Sequence, residues 1–174
     1  MASLVTLQDV RRLAWIAHAG QVDKIGEPYF QHVEAVAAGL AAFGPEMEMA
    51  GLLHDVIEDT DWTGDDLREV GIPNVVVGIV EDVTMQPGVS YEEKIRRITS
   101  SLSATLVKIS DNAHNSRPDR TSQLPEEKRI RLAAKYQGAR KILWAHAEYD
   151  EIEHILKIVN PALLPELEEW SASR

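Results

Sequence analysis

The chain predicts an all-α fold, a single domain of about eight helices, and three observations predict it. Apolar residues recur at three- and four-residue spacing almost throughout. Serine, threonine and proline stand ahead of those stretches, where helices begin. No alternation of strand and helix patterns marks a parallel sheet. With 174 residues the chain is long enough to bury one core without staples, and 1–174 reads as one domain.

Thr6 followed by Asp9 predicts a capping box opening a first helix, with Val10, Leu13, Ala14 and Ala17 at helical spacing. Gly20 and the Gly26–Glu27–Pro28 turn break it. A second helix is predicted from near His32 to Phe43, with Val33, Val36, Ala37 and Leu40 on one face. Pro45 suits the first turn of a third, which runs on through residues 51–60. A short helix near Asp65–Val70 stops at Gly71. Pro73 opens another, with Val76, Ile79, Val80 and Val83 inward. Ser90 with Glu93 predicts a capping box leading to Ile95 and Ile98. Residues 103–115 hold the apolar run "ATLVKIS", β-branched enough for a strand; helix is preferred. "SRPDRTSQLP" reads as a loop. After Pro125 an amphipathic stretch reaches Asn160, as two helices or as one bent near Tyr149, and Pro161 starts a terminal helix.

The net charge is −10 and cysteine is absent. An acidic chain is a poor partner for nucleic acid or an anionic membrane, so neither is expected. A small anionic substrate requires local cations or a metal. Without cysteine there is no disulfide framework and no thiolate metal site. The N-terminal stretch lacks a signal-peptide run and no segment is apolar enough to cross a membrane, which leads to an expected cytoplasmic location.

"GLLHDVIEDT", residues 51–60, threads four ionisable groups through an apolar helix. On a wheel with His54 at zero, Asp55, Glu58 and Asp59 fall at roughly 100°, 40° and 140°, and Leu52, Leu53, Val56 and Ile57 between roughly 160° and 300°. Charged helix faces are commonly just solvated. Three carboxylates with no lysine or arginine nearby nevertheless repel one another, and a divalent cation relieves that directly. Neighbouring His54 and Asp55 offer one nitrogen and one oxygen donor, a mix that suits Mn²⁺ or Zn²⁺. His32 opens a helix after a turn, and Asp111 closes an apolar run with Asn115 one turn on. Taken singly these are structural features as often as ligands, and spacing does not join them.

Three blocks together resemble the HD-domain phosphohydrolases: "HAGQVDKIGEPYFQHVEAVA" at 18–37, "AGLLHDVIEDT" at 50–60 and "LVKISDNAHNSR" at 106–117. More narrowly, they resemble the hydrolase domain of RelA/SpoT-type alarmone enzymes and the small alarmone hydrolases. "EEKIRRI" resembles the connecting helix. The resemblance implies an HD-type helical fold with one Mn²⁺ per chain, held by His32, His54, Asp55 and Asp111. It places the catalytic acidic pair at Glu58 and Asp59, nucleotide contact at Asn115, and Lys24 in a loop near base and phosphates. The implied activity is removal of the 3′-diphosphate of nucleotides such as ppGpp as pyrophosphate. Lys24, Lys108, Arg117 and Arg120 are the candidates for the phosphate side. Arg117 to Lys141 holds eight Lys or Arg against three acids, and from Lys128 onward the cations read as a solvated face.

Two positions depart from the resemblance. Asp23 stands where an arginine commonly stacks on guanine, and Pro118 where a threonine is common. Both bear on the base, leaving guanosine, placed first, against adenosine. Alternatives are another HD-type nucleotide phosphohydrolase, such as a nucleotidase or NADPH phosphatase, and a non-catalytic nucleotide-binding module. His18 reads as structural. His114 reads as packing or as bonded behind the ligands. His146 and His154 read as surface. Trp15, Trp62, Trp144 and Trp170 read as core or interface, with Trp15 and Tyr29 the aromatic candidates for the pocket border. "ILWAHAEY" raises an oligomer that the sequence does not establish.

Overall fold

The computed structural model describes residues 5–174, all helical apart from connections and one isolated bridge between Val22 and Pro28. The capping box of Thr6 and Asp9 opens α1 (Leu7–Ala17) as predicted. Helix α2 (Tyr29–Leu40) begins earlier than expected and tightens into a 3₁₀ turn, Ala41–Phe43, because Gly44 at φ 109° turns the chain away. Pro45 then takes the first turn of α3 (Pro45–Leu53).

The third helix does not run through residues 51–60. It ends at Leu53, and a single turn, α4 (Val56–Asp59), follows. His54 Nδ1 lies 2.8 Å from the Gly51 carbonyl, the acceptor that a continuing helix gives to the amide of Asp55. The side chain takes that acceptor, Asp55 relaxes to φ −105°, ψ −1°, and the hydrogen-bond ladder restarts with Asp59 N–H on Asp55 C=O.

Thr63 and Asp66 form a capping box on α5 (Gly64–Glu69), and α6 (Asn74–Val83) buries Val76, Val77, Ile79, Val80 and Val83. The Ser90–Glu93 box on α7 (Tyr91–Ile98) is only half made. Ser90 accepts from the Glu93 amide, but the Glu93 carboxylate pairs with Arg97 instead. Residues Leu102–Asn115 form helix α8, with the β-branched run buried by its neighbours, so the helix reading of 103–115 stands. The expected loop contains one helical turn, α9 (Pro118–Thr121). The long C-terminal stretch is two helices, α10 (Glu126–Trp144) and α11 (Tyr149–Val159), and a 3₁₀ turn leads to α12 (Leu164–Ala172).

Helix α2 lies against α3, α8 and α11. Two glycines set that approach. A Cβ on Gly51 would stand 2.7 Å from Ala37 Cα, and one on Gly39 would stand 2.6 Å from Ser110 Oγ. Ser110 in turn donates to the Val36 carbonyl at 2.8 Å. Backbones pressed this closely bring short side chains from three helices within reach of one another.

Several aromatic and histidine expectations change. Trp15 is 58% exposed, on the outer face of α1. Trp144 is buried and meets the half-buried Trp170 edge-on at 5.8 Å. Leu143 and Trp144 are spent in the chain's own core, so "ILWAHAEY" offers little apolar surface to a partner. His146 is exposed as expected, but His154 is half-buried against the Phe43 ring, because α11 packs its flank on α2 and the turn after it. No described helix is long and apolar enough to cross a membrane.

Candidate active site

His32 from the first turns of α2, His54 and Asp55 from the α3–α4 break and Asp111 from α8 meet at one place. His54 Nε2 lies 2.9 Å from Asp55 Oδ2 and 3.8 Å from Asp111 Oδ1. His32 Nε2 lies 3.2 Å from Asp111 Oδ1 and 3.6 Å from Asp55 Oδ2. His32, His54 and Asp55 each offer a ligand atom within 4.8 Å of the others. Asp111 is held more tightly from behind. Its Oδ1 accepts from Asn115 at 2.6 Å and its Oδ2 from Lys108 at 2.5 Å.

These residues fit a divalent ion. A carbonyl only accepts, so His54 Nδ1 carries the proton toward Gly51 and its Nε2 presents a lone pair. That Nε2 is buried and has no aligned hydrogen-bond partner among the described residues, although Asp55 Oδ2 is close by. Two electron-rich atoms at this separation call for a cation between them. Burial disfavours charge on His54, but Asp55 and Asp111 override it and push its pKa up to about 10, the same field expressed as proton affinity. Burial also raises Asp55 and Asp111. The imidazoles, and for Asp111 Lys108 above all, hold both well below the usual carboxylate range.

The donors are braced from outside. Tyr29 O–H donates to Asp55 Oδ2 at 2.6 Å, and burial with Asp55 holds that phenol protonated. His32 Nδ1 lies 2.7 Å from His114 Nδ1. Burial and His32 depress the His114 pKa to about 3, so His114 is neutral and its Nδ1 can accept. With His32 donating, its Nε2 faces the same centre as that of His54.

The cluster opens into a cleft of about 280 Å³ lined by Lys24, Glu58, Asp59, Lys94, Lys108 and Asn115, among others. Glu58, which lines the cleft, accepts through Oε2 from the Met85 amide at 2.8 Å and from Lys94 Nζ at 3.0 Å. Burial and nearby Asp55 raise the Asp59 pKa. Lys24 Nζ donates to Tyr136 O–H at 2.6 Å, and Lys135 Nζ sits 4.0 Å from the centroid of the Tyr91 ring. Burial lowers the pKa of Lys24, Lys94 and Lys135.

Arg117 does not line this cleft. It chelates Asp119 at 3.0 and 2.8 Å on the surface, because the turn of α9 brings that carboxylate alongside it. Lys135 overturns the reading of α10 as a merely solvated cationic face, since it lines the cleft with Tyr136, and Arg140 is buried against Glu166. Lys94, Lys135, Tyr91 and Tyr136 were not among the expected site residues. The available signal for Lys94 was its place beside Ile95 and Ile98 on the inward stripe of α7, where it is 5% exposed. Trp15 does not border the cleft; Tyr29 does.

Fold and site together define an all-helical domain whose core helices converge two imidazoles and two carboxylates beneath a cation-lined cleft. The HD-domain family profile matches residues 11–148, and the chain belongs to that family. Relatives include the guanosine-3′,5′-bis(diphosphate) 3′-pyrophosphohydrolase of Haemophilus influenzae, 35% identical over 129 residues, covering 67% of this chain and 19% of the relative. The bifunctional (p)ppGpp synthase/hydrolase SpoT of Escherichia coli is 35% identical over 130 residues, covering 67% and 18%. The chain thus spans less than a fifth of these curated relatives. A solved structure of a metazoan ortholog of SpoT, described as hydrolysing ppGpp and acting in starvation responses, superposes with a TM-score of 0.70 at 23% identity. It covers 90% of this chain and 97% of that one, and shares the fold.

Proposed function

We propose that residues 1–174 are a single HD-type domain that acts as a Mn²⁺-dependent 3′-pyrophosphohydrolase of nucleotide alarmones such as ppGpp. The observation that carries this reading is the buried Nε2 of His54, without an aligned hydrogen-bond partner among the described residues and facing Asp55, with His32 and Asp111 closing on the same centre. The relatives' named activities support the substrate class.

His32, His54, Asp55 and Asp111 hold the ion, and an all-nitrogen-and-oxygen donor set without thiolate suits Mn²⁺. A divalent ion held there would supply a Lewis acid for a phosphate oxygen and for water. Glu58, fixed by Met85 and Lys94, accepts the proton of the water that attacks the phosphorus bonded to the ribose 3′ oxygen. That P–O bond breaks, pyrophosphate leaves, and the 3′ oxygen takes a proton from Asp59, the other cleft carboxyl beside Glu58, whose pKa burial and Asp55 raise. Lys24 and Lys135, which have no carboxylate partner among the described residues, meet the phosphates, and Lys108 and Asn115 keep Asp111 in place at the substrate's edge.

The test is a panel of guanosine and adenosine 3′,5′-bis(diphosphates), NADPH and nucleoside monophosphates, incubated with Mn²⁺ and either the wild type or Asp55→Ala. Pyrophosphate released by the wild type and background turnover in the variant are expected. Orthophosphate as the product would move the reading to a nucleotidase or NADPH phosphatase. Failure to recruit any divalent ion would leave a nucleotide-binding module.

A further inference from the structure

Asp23 and Arg120 form a pair unlike the other charges of the cleft they both line. Asp23 Oδ1 accepts from the amides of Ile25 and Glu27 at 2.9 and 3.0 Å, which closes the loop before α2. Its Oδ2 lies 2.7 Å from Arg120 Nη1, and the two side chains are only 4% and 12% exposed. Burial raises the Asp23 pKa, but the two amides and Arg120 hold it below the usual range, so the pair is ionised and neutral overall. The Arg120 Nε–H and Asp23 Oδ2 are both buried without an aligned hydrogen-bond partner among the described residues, so the contact is a close charge pair rather than a made hydrogen bond. A buried donor left unsatisfied is costly, and an acceptor that reached it would recover that cost.

Two acceptors reach such a cleft: a phosphate oxygen and the edge of a base. Phosphate is better served by Lys24 and Lys135, whose amines contact aromatic side chains and make no ion pair among the described residues. A guanidinium neutralised by Asp23 has lost most of its attraction for an anion but keeps its directional donors. With Nη1 turned to Asp23, the Nε–H and the adjacent Nη2–H form one edge with two parallel donors. Guanine offers two acceptors side by side, O6 and N7, whereas adenine offers N7 beside an amino group that opposes the second donor. Arg120 lines the same cleft as Lys24 and Tyr136, and its own carboxylate partner is Asp23 rather than Glu58, which pairs with Lys94.

We propose that Arg120, positioned by Asp23, reads the base of the bound nucleotide and selects guanine over adenine. This rests on the nucleotide reading of the cleft given above. The test is calorimetric binding of GDP and of ADP, which differ only in the base, to the Mn²⁺-supplied full chain. The same titrations are made with Arg120→Lys, which keeps a cation against Asp23 without the fork, and with Asp23→Ala/Arg120→Ala, which removes the pair together. Circular dichroism confirms that each variant is folded.

The wild type should prefer GDP by about tenfold or more, and in both variants the ratio should fall to near one. The ratio of kcat/KM for the guanosine and adenosine bis(diphosphates) should fall in parallel. Equal binding of GDP and ADP by the wild type, a preference that survives in both variants, or no binding of either nucleotide would overturn the proposal. A guanine preference without pyrophosphate release would sink the hydrolase reading and leave this one standing. Pyrophosphate release with no base preference would do the reverse.

Discussion

His32 and His54 face one centre because α2 and α3 touch backbone to backbone at Gly51, and Asp111 joins them because Ser110 ties α8 to α2. The cations around them have no such frame. Lys24 comes from a loop, Arg120 from a single helical turn and Lys135 from the flank of α10, and each is steadied by one or two aromatic rings or one carboxylate. In the first region His32, His54 and Asp111 are 2–5% exposed and Asp55 is half-buried at the cleft, and the group is bonded on several sides, by Gly51, Tyr29, His114, Lys108 and Asn115. The second is held by long side chains whose partners are few. Chemistry that must be kept to a fraction of an ångström is fixed by the core, while selection among substrates is left to the rim, where substitutions disturb packing less.

Glu58, which stands between the two regions, gives the largest expected effect. Glu58→Gln should lower kcat by about 10²- to 10⁴-fold while leaving Mn²⁺ affinity close to that of the wild type. A parallel fall in metal affinity would place Glu58 in the metal-holding core instead. A smaller effect is expected at His114, which does not itself line the cleft and acts through His32. His114→Phe should weaken Mn²⁺ binding by about 10- to 100-fold, as read by metal titration, with the fold kept in circular dichroism. Unchanged affinity would mean that the imidazole behind His32 is only packing.

The smallest effect is a pH dependence confined to the rim. The Asp23 pKa is lowered in the folded chain, so its contribution to stability is present above the unfolded value of about 3.9 and is lost as pH falls through the lower folded value. Asn at this position keeps an acceptor oxygen for the loop amides but cannot ionise. In urea unfolding between pH 6 and pH 2, the stability gap between wild type and Asp23→Asn should therefore close as the medium becomes acid. A gap that stays constant would show that the loop bonds, not the ion pair, make the difference.

The core region was largely legible in the sequence. His54 and Asp55 announce themselves by interrupting an apolar helix with charge, and the blocks around His32 and Asp111 carry a recognisable order. The rim was not, because it depends on how α7, α9 and α10 dock. Nothing local distinguishes Lys135, which lines the cleft, from Lys128 on the same helix, and Arg117 looks well placed until α9 supplies Asp119 to occupy it. Asp23 is the instructive case. As a departure from the family pattern it reads as a lost guanidinium, yet its partner, 97 positions along the chain (120 − 23), brings a guanidinium to the same cleft.

The contact between His54 and the Gly51 carbonyl gears two parts of the molecule together. It sets which nitrogen of the ring is bare, and it also stops α3, which decides the angle at which the turn bearing Glu58 and Asp59 leaves the core. A side chain at 54 unable to donate there would both lose the ligand and let the helix wind on, swinging the two acids away from where they now point. The grip on the ion and the aim of the acids thus stand or fall on the same proton.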